Sequence, residues 1–288
     1  MDKNTLANYG WIVCVVLVLS MMIALATPFA TAVKNSVVGT TNGLSNNLND
    51  ALAGSWGDSA GDDAENDGGE QLPAGGEVSE TGEILDSWEV IINNVNNGTY
   101  STKYAVGNYK SLDLGSEGIV NMQIAALDAD DMTGGGKAHI TWITKELLAT
   151  KHNMNSSNTN AGGWETSKMR AYLQADVWAL IDPAVQNAII AVDKTYFDST
   201  AGTKTCSDKV WIPSCREIGL IREGSGVVYS ELFPDKNSRV KYLNGTASYW
   251  WVRSTYPGDN GFYGIGTNGT GYNVNASGAN GVALSFCF

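Results

Sequence analysis

Between Tyr256 and Asn275 the chain reads "YPGDNGFYGIGTNGTGYNVN", a run of tyrosine, asparagine, glycine and threonine. These residue types suit recognition rather than bond-making. A tyrosine covers a large amphipathic area with few torsions to freeze, and asparagine and glycine supply adaptable hydrogen bonds. Glycine-rich hairpin turns are the simpler explanation of such a run. Turns alone would not also need Tyr256, Tyr263 and Tyr272, so the pattern favours ligand contact.

Residues suited to catalysis or metal binding are sparse. The two histidines, His139 and His152, sit at a spacing that fits no zinc motif. His139 stands beside the predicted strand "HITWI" and reads as a scaffold histidine; His152 opens a polar loop. No nucleophile elbow, phosphate-binding loop or dinucleotide fingerprint occurs. Asp58, Asp62 and Asp63 are acidic enough for calcium, but their spacing matches no calcium loop. No catalytic residue, metal or cofactor is therefore expected. Cys14 lies in an apolar run, and Cys206, Cys215 and Cys287 leave an odd count in the body. That is no disulfide framework. A Cys206–Cys215 pair stays open, and Cys287, among Leu284, Phe286 and Phe288, reads as a buried thiol.

Trp250 and Trp251 are adjacent in a predicted strand and so point to opposite faces. One belongs in the core; the other either underlies the tyrosine-rich surface or packs on a helix. Arg253 either pairs with a buried acid such as Glu217 or reaches a ligand carboxylate, and the former is the commoner use.

The elements that must position these groups follow from patterning. "DSWEVIINNVNNG" predicts a helix capped by Asp86 or Ser87, with Trp88, Ile91, Ile92 and Val95 as its stripe and Gly98 as its stop. "YKSLDLGSEGIVNMQIAALDADD" predicts two strands around a glycine turn, with Val120, Met122 and Ile124 on one face. "ITWITKELLAT" predicts a strand passing into a helix capped by Thr144. A long helix is predicted over Trp164–Ile181, then a short one from Pro183 through Ile190. "VWIPSCREIGL" predicts a strand and a helix, with Ser214 and Glu217 in capping-box spacing. The closing strands are predicted at Ser248–Ser254, Gly261–Gly266 and Gly281–Phe288. Helices preceding antiparallel strands make an α+β pattern.

The bulk composition agrees with a loop-rich body. Charged residues make up 17%, glycine numbers 33, and the formal net charge is −12. No basic patch occurs, which argues against nucleic acid as a partner. Residues 54–85 are rich in Gly, Asp and Glu, and no Lys or Arg lies between Lys34 and Lys103. That one-signed, weakly apolar composition predicts a flexible acidic linker. Residues 1–53 carry an uncharged stretch from Asn8 to Val33, long enough to span a membrane through residues 9–33. Ala30-Thr31-Ala32 also has the form of a signal-peptide cleavage site, so an anchor and a removed leader both fit, the latter giving a secreted protein cut after Ala32.

Two resemblances sharpen this reading. "YGWIVCVVLVLSMMIALATPFATAVKNSVVGTTNGLSNNLNDAL" resembles the helix and following stretch of Flp-type pilins, except that no glutamate stands before Tyr9. It implies membrane insertion or pilus assembly partners. "GGWETSKMRAYL", "DKVWIPSCREIGL", "WWVRSTY", "FYGIGTNG" and "GVALSFCF" resemble a bacterial extracellular family with a C-type-lectin-like, formylglycine-generating-enzyme-like fold, covering residues 86–288. Some members are variable proteins of diversity-generating retroelements. That resemblance implies a ligand surface of Tyr256, Asp259, Asn260, Tyr263, Thr267, Asn268, Thr270, Tyr272, Asn273 and Asn275. Phe262, Ile265, Val274 and Ala276, with Trp250, Trp251 and Arg253, would be scaffold. The calcium-binding Glu-Pro-Asn motif of classical lectins is absent from the sequence. The expected protein is a surface-displayed, adhesin-like binder of a protein or glycan, on a membrane anchor or pilus. A structural filament subunit with a decorating globular domain is the alternative.

Overall fold

A computed structural model describes residues 75–220, 222–258 and 260–288. The apolar segment at 9–33, its pilin-like continuation, the linker up to residue 74, and Asp259 lie outside the described residues. The fold is α+β. Its helices are α1 (Trp88–Asn96), α2 (Lys168–Tyr172) and α3 (Pro183–Ala188). Its strands are β1 (Tyr109–Asp113), β2 (Ile119–Leu127), β3 (Ile140–Thr144), β4 (His152–Asn153), β5 (Val192–Asp198), β6 (Gly202–Asp208) and β7 (Val210–Trp211). The later strands are β8 (Lys241–Leu243), β9 (Thr246–Ser248), β10 (Trp250–Thr255), β11 (Gly261–Ile265), β12 (Gly271–Asn275), β13 (Ala279–Asn280) and β14 (Ser285–Cys287). Among the described residues no helix is long and apolar enough to cross a membrane.

The main sheet has the order β1-β2-β3-β14-β7. Its C-terminal strand β14 runs between β3 and β7, antiparallel to both. A second sheet, β10-β11-β12, carries the tyrosine-rich run. It divides the apolar interior in two. Trp251 and Phe262 join the main core around Trp142, Trp164, Trp211 and Phe286. Trp250, Val252, Tyr263 and Ile265 join a second core with Ile218, Tyr229 and Phe233.

α1 forms as expected: Ser87 accepts a hydrogen bond from the Val90 amide, and Gly98, with φ of 68°, follows its C-cap. The packed chain reaches upstream of Asp86, because Ile84 is buried and Val78 bridges to it. Three predicted helices differ. None follows Thr144, since the amides of Lys145, Leu147 and Leu148 bond to Asn121, Tyr242 and Val282 instead of to carbonyls one turn back. The segment from Trp164 becomes turns. The indole of Trp164 is pinned by Asp208 at 2.7 Å, and regular helix begins only where Ser167 caps Arg170. After α2 the winding loosens at Leu173–Val177 and tightens at Trp178–Leu180. The third case is the Ser214–Glu217 capping box. Both reciprocal hydrogen bonds are present, at 3.0 and 3.2 Å, yet only a turn follows. Glu217 is engaged elsewhere, as described below. Neither β12 nor the β5–β6 hairpin is among the elements expected from patterning.

Candidate functional site: the β11–β12 hairpin

β11 and β12 pair in register from Gly261 opposite Asn275 to Ile265 opposite Gly271. Residues directly opposite share a face. Tyr263, Asn273 and Asn275 therefore lie on one side of the hairpin, and Phe262, Val274 and Tyr272 on the other. β10 and β11 are buried throughout, whereas β12 is an edge strand with much of its length in solvent. Side chains on both faces of β12, Tyr272 on one and Asn273 and Asn275 on the other, consequently reach solvent from a buried support.

Two glycines set how the hairpin is held. A side chain at Gly269, where φ is +74°, would place its Cβ 1.6 Å from the Lys236 carbonyl. The 267–270 turn is thus pressed onto backbone. At Gly261 a Cβ would meet the Asn273 amide at 1.8 Å, so the asparagine lies across the strand where no side chain stands.

Of the expected surface residues, Asn260, Thr267, Asn268, Thr270, Tyr272, Asn273 and Asn275 are exposed. Asn268 donates to the Tyr272 hydroxyl at 3.1 Å and accepts from the Thr270 amide at 3.1 Å. Tyr272 also faces Tyr249, ring centroids 5.9 Å apart, and both are substantially exposed. Tyr249 was missed in the sequence; the signal was its place just outside the buried pair Trp250–Trp251. Asn260 lies at the opposite end, where its carbonyl accepts from Ala276.

Tyr263 departs from expectation. It is 3% exposed, 4.7 Å from the half-buried Tyr256 and beneath the Arg222 guanidinium at 5.2 Å. Burial raises its phenol pKa, and Arg222 partly offsets this. It belongs to the scaffold. Phe262, Ile265 and Ala276 are buried as expected, and Val274 packs against the core. Trp250 and Trp251 are both fully buried, Trp251 in the main core and Trp250 in the second core with Tyr263. Their indoles donate to the Arg239 and His152 carbonyls.

Arg253 takes the structural role. It is fully buried and grips Glu217 with two hydrogen bonds of 2.7 and 2.6 Å, while also donating to the carbonyls of Ile212 and Thr195. Glu217 reaches Lys194 at 2.6 Å, and Lys194 reaches Asp130 at 2.5 Å. Two cations and two carboxylates thus meet inside the protein. Burial alone would push the Glu217 carboxyl up, but Arg253 and Lys194 hold it down at about 2. Burial alone would pull Lys194 down, yet Asp130 and Glu217 keep it above its usual value. Sequence reasoning found Arg253 and Glu217 but missed Lys194 and Asp130, which no local spacing connects.

The histidines and cysteines sit apart from the hairpin surface. His139 Nδ1 lies 2.8 Å from the Tyr100 hydroxyl and 3.1 Å from Asp128, with the ring half-exposed. His152 stacks on Tyr172 at 3.9 Å and lines a cavity of about 510 Å³ with Lys168 and Asp176. Cys206 and Cys215 are free thiols, as is Cys287. Burial and the Asp208 carboxylate raise Cys206 to about 12, and burial raises the other two. Among the described residues no three His, Cys, Asp or Glu side chains group as metal ligands.

Residues 139–287, more than half of the chain, match the family described as Domain of unknown function (DUF6273). The chain belongs to this family. The match takes in β3 through β14, and so both the hairpin and the Arg253–Glu217 pair, whereas α1, β1 and β2 precede it. No curated protein and no solved structure matches the chain.

Proposed function

We propose that this DUF6273 protein is a ligand-binding module that recognises a protein or glycan through the exposed side chains of β12 and its turn. The observation that carries this reading is the contrast between β11, buried at every position, and β12, which displays Tyr272, Asn273 and Asn275. Adaptable polar groups and an aromatic pair mounted on a fixed base suit recognition with little ordering penalty. A C-type-lectin-like fold is part of the proposal. It is supported by the C-terminal strand entering the main sheet and by the helices preceding a separate three-stranded sheet. Display at the cell surface through the N-terminal apolar segment, with the exposed positions of β12 and its turn diversified among relatives, completes the reading.

The test is a comparison of close relatives from one bacterial population, together with the flanking DNA. Substitutions should concentrate at Thr267, Asn268, Thr270, Tyr272, Asn273 and Asn275, leaving Phe262, Tyr263 and Val274 fixed. A nearby reverse transcriptase and a template repeat of the terminal stretch should accompany them. An even spread of substitutions over the surface would overturn the diversified-binder reading.

A further inference from the structure

The buried charge cluster holds an amine and a carboxylate in an arrangement suited to more than ion pairing. Lys194 and Asp130 are each 1% exposed, and their Nζ and Oδ1 atoms are 2.5 Å apart. The Asp130 carboxyl carbon lies one bond behind that oxygen, within reach of the nitrogen. The Asp130 Oδ2 atom accepts from the hydroxyls of Tyr229, at 2.9 Å, and Thr141, at 2.5 Å. Fixed donors of this kind stabilise negative charge developing on a carboxyl oxygen. Glu217 Oε1, 2.6 Å from the same Nζ, supplies a proton acceptor, and Arg253 fixes its orientation. The Trp211 ring, 4.4 Å from Nζ, walls the cluster from water.

We propose that Lys194 and Asp130 join in an intramolecular isopeptide bond. The ammonium first passes a proton to Oδ1 across their hydrogen bond, giving a neutral amine and a neutral acid. In a dry interior the loss of a separated-charge pair relieves part of its desolvation penalty. The Nζ lone pair then attacks the carboxyl carbon, and charge collects on Oδ2 under the Tyr229 and Thr141 hydroxyls. Glu217 takes a proton from the attacking nitrogen and returns it to Oδ1. The C–Oδ1 bond breaks, water leaves, and an amide remains. Glu217 ends as it began, and no oxidant or co-reactant is used. Held reactants need no encounter, which removes the orientational part of the barrier such condensations face in solution.

The bond would tie the segment after β2 to β5, and it is read by peptide mass. In the folded full-length protein, trypsin should leave Ser111–Lys137 joined to Ala171–Lys204, with no cleavage after Lys194 and a mass one water below the sum of the two peptides. Lys194→Arg, with folding checked by circular dichroism, should release the two regions as separate peptides. Recovery of unmodified, separately cleaved peptides from folded wild-type protein overturns the proposal and leaves an ionic cluster only. Persistence of the joined species at wild-type yield in Glu217→Gln overturns the proton-carrying role of Glu217.

Discussion

At the scale of single residues, the buried charges are the most consequential groups. Removing one member of a buried pair strands its partner and typically destabilises by about 3–5 kcal/mol. Arg253→Met should therefore lower the denaturant midpoint sharply, while Lys204→Met, whose partner Glu165 is surface-exposed, should leave it nearly unchanged. Acid should act through Glu217. With Lys194 as an ammonium, the folded Glu217 pKa of about 2 lies below its ordinary 4.5, so its contribution is complete above pH 4.5 and is lost as pH falls toward 2. Lys241 predicts a second pH dependence. Its ammonium is fully buried against the carbonyls of Thr144 and Lys145, and burial pulls it from 10.5 to about 7, with Glu146 opposing. Above pH 7 the folded state sheds this proton while the unfolded chain keeps it, so stability should rise from pH 7 toward pH 9. Lys241→Met should flatten that rise in urea titrations run across the range. A slope unchanged by the substitution would show that other groups produce it.

At the scale of elements, the hairpin separates support from display. Tyr263→Ala should cost about 3–5 kcal/mol, since it opens a cavity in the second core. Tyr272→Ala on the facing strand should stay within about 1 kcal/mol. Equal losses in thermal unfolding would mean that Tyr272 is part of the packing after all. Gly269→Ala should destabilise by more than about 1 kcal/mol, through its positive φ and the Lys236 carbonyl. Which elements could be read in advance follows the range of the forces that make them. α1 was legible because Ser87, an apolar stripe and Gly98 all lie within one segment. The helix expected after Thr144 failed because its amides find partners on three distant segments. β12 was illegible because its glycine and asparagines have little strand preference, and β11 supplies the pairing. Among the site residues, exposure of Asn and Thr was readable from composition. Which tyrosine turned inward depended on register, a property of the pair of strands rather than of either one.

At the scale of the whole molecule, the placement of β14 governs how the protein can be made. Cys287 pairs with Thr141, 146 residues earlier, and Phe286 pairs with both Trp142 and Val210. Contacts so distant in sequence slow folding, because the loop between them must be closed before they repay it. β1, β2 and β3 form a local meander, so pulse-labelled hydrogen exchange during refolding should protect β2 amides before those of β14 and β7. Simultaneous protection would mean that the sheet forms in one step. A chain emerging from the ribosome meets the same order of events. Until the residues around Phe286 have left the exit tunnel, β3 holds an unfilled edge and its aromatic face lacks a neighbour. While the segment between β3 and β14 is being made, the nascent protein is an open sheet, a template for strands of other chains and a natural client for holding chaperones.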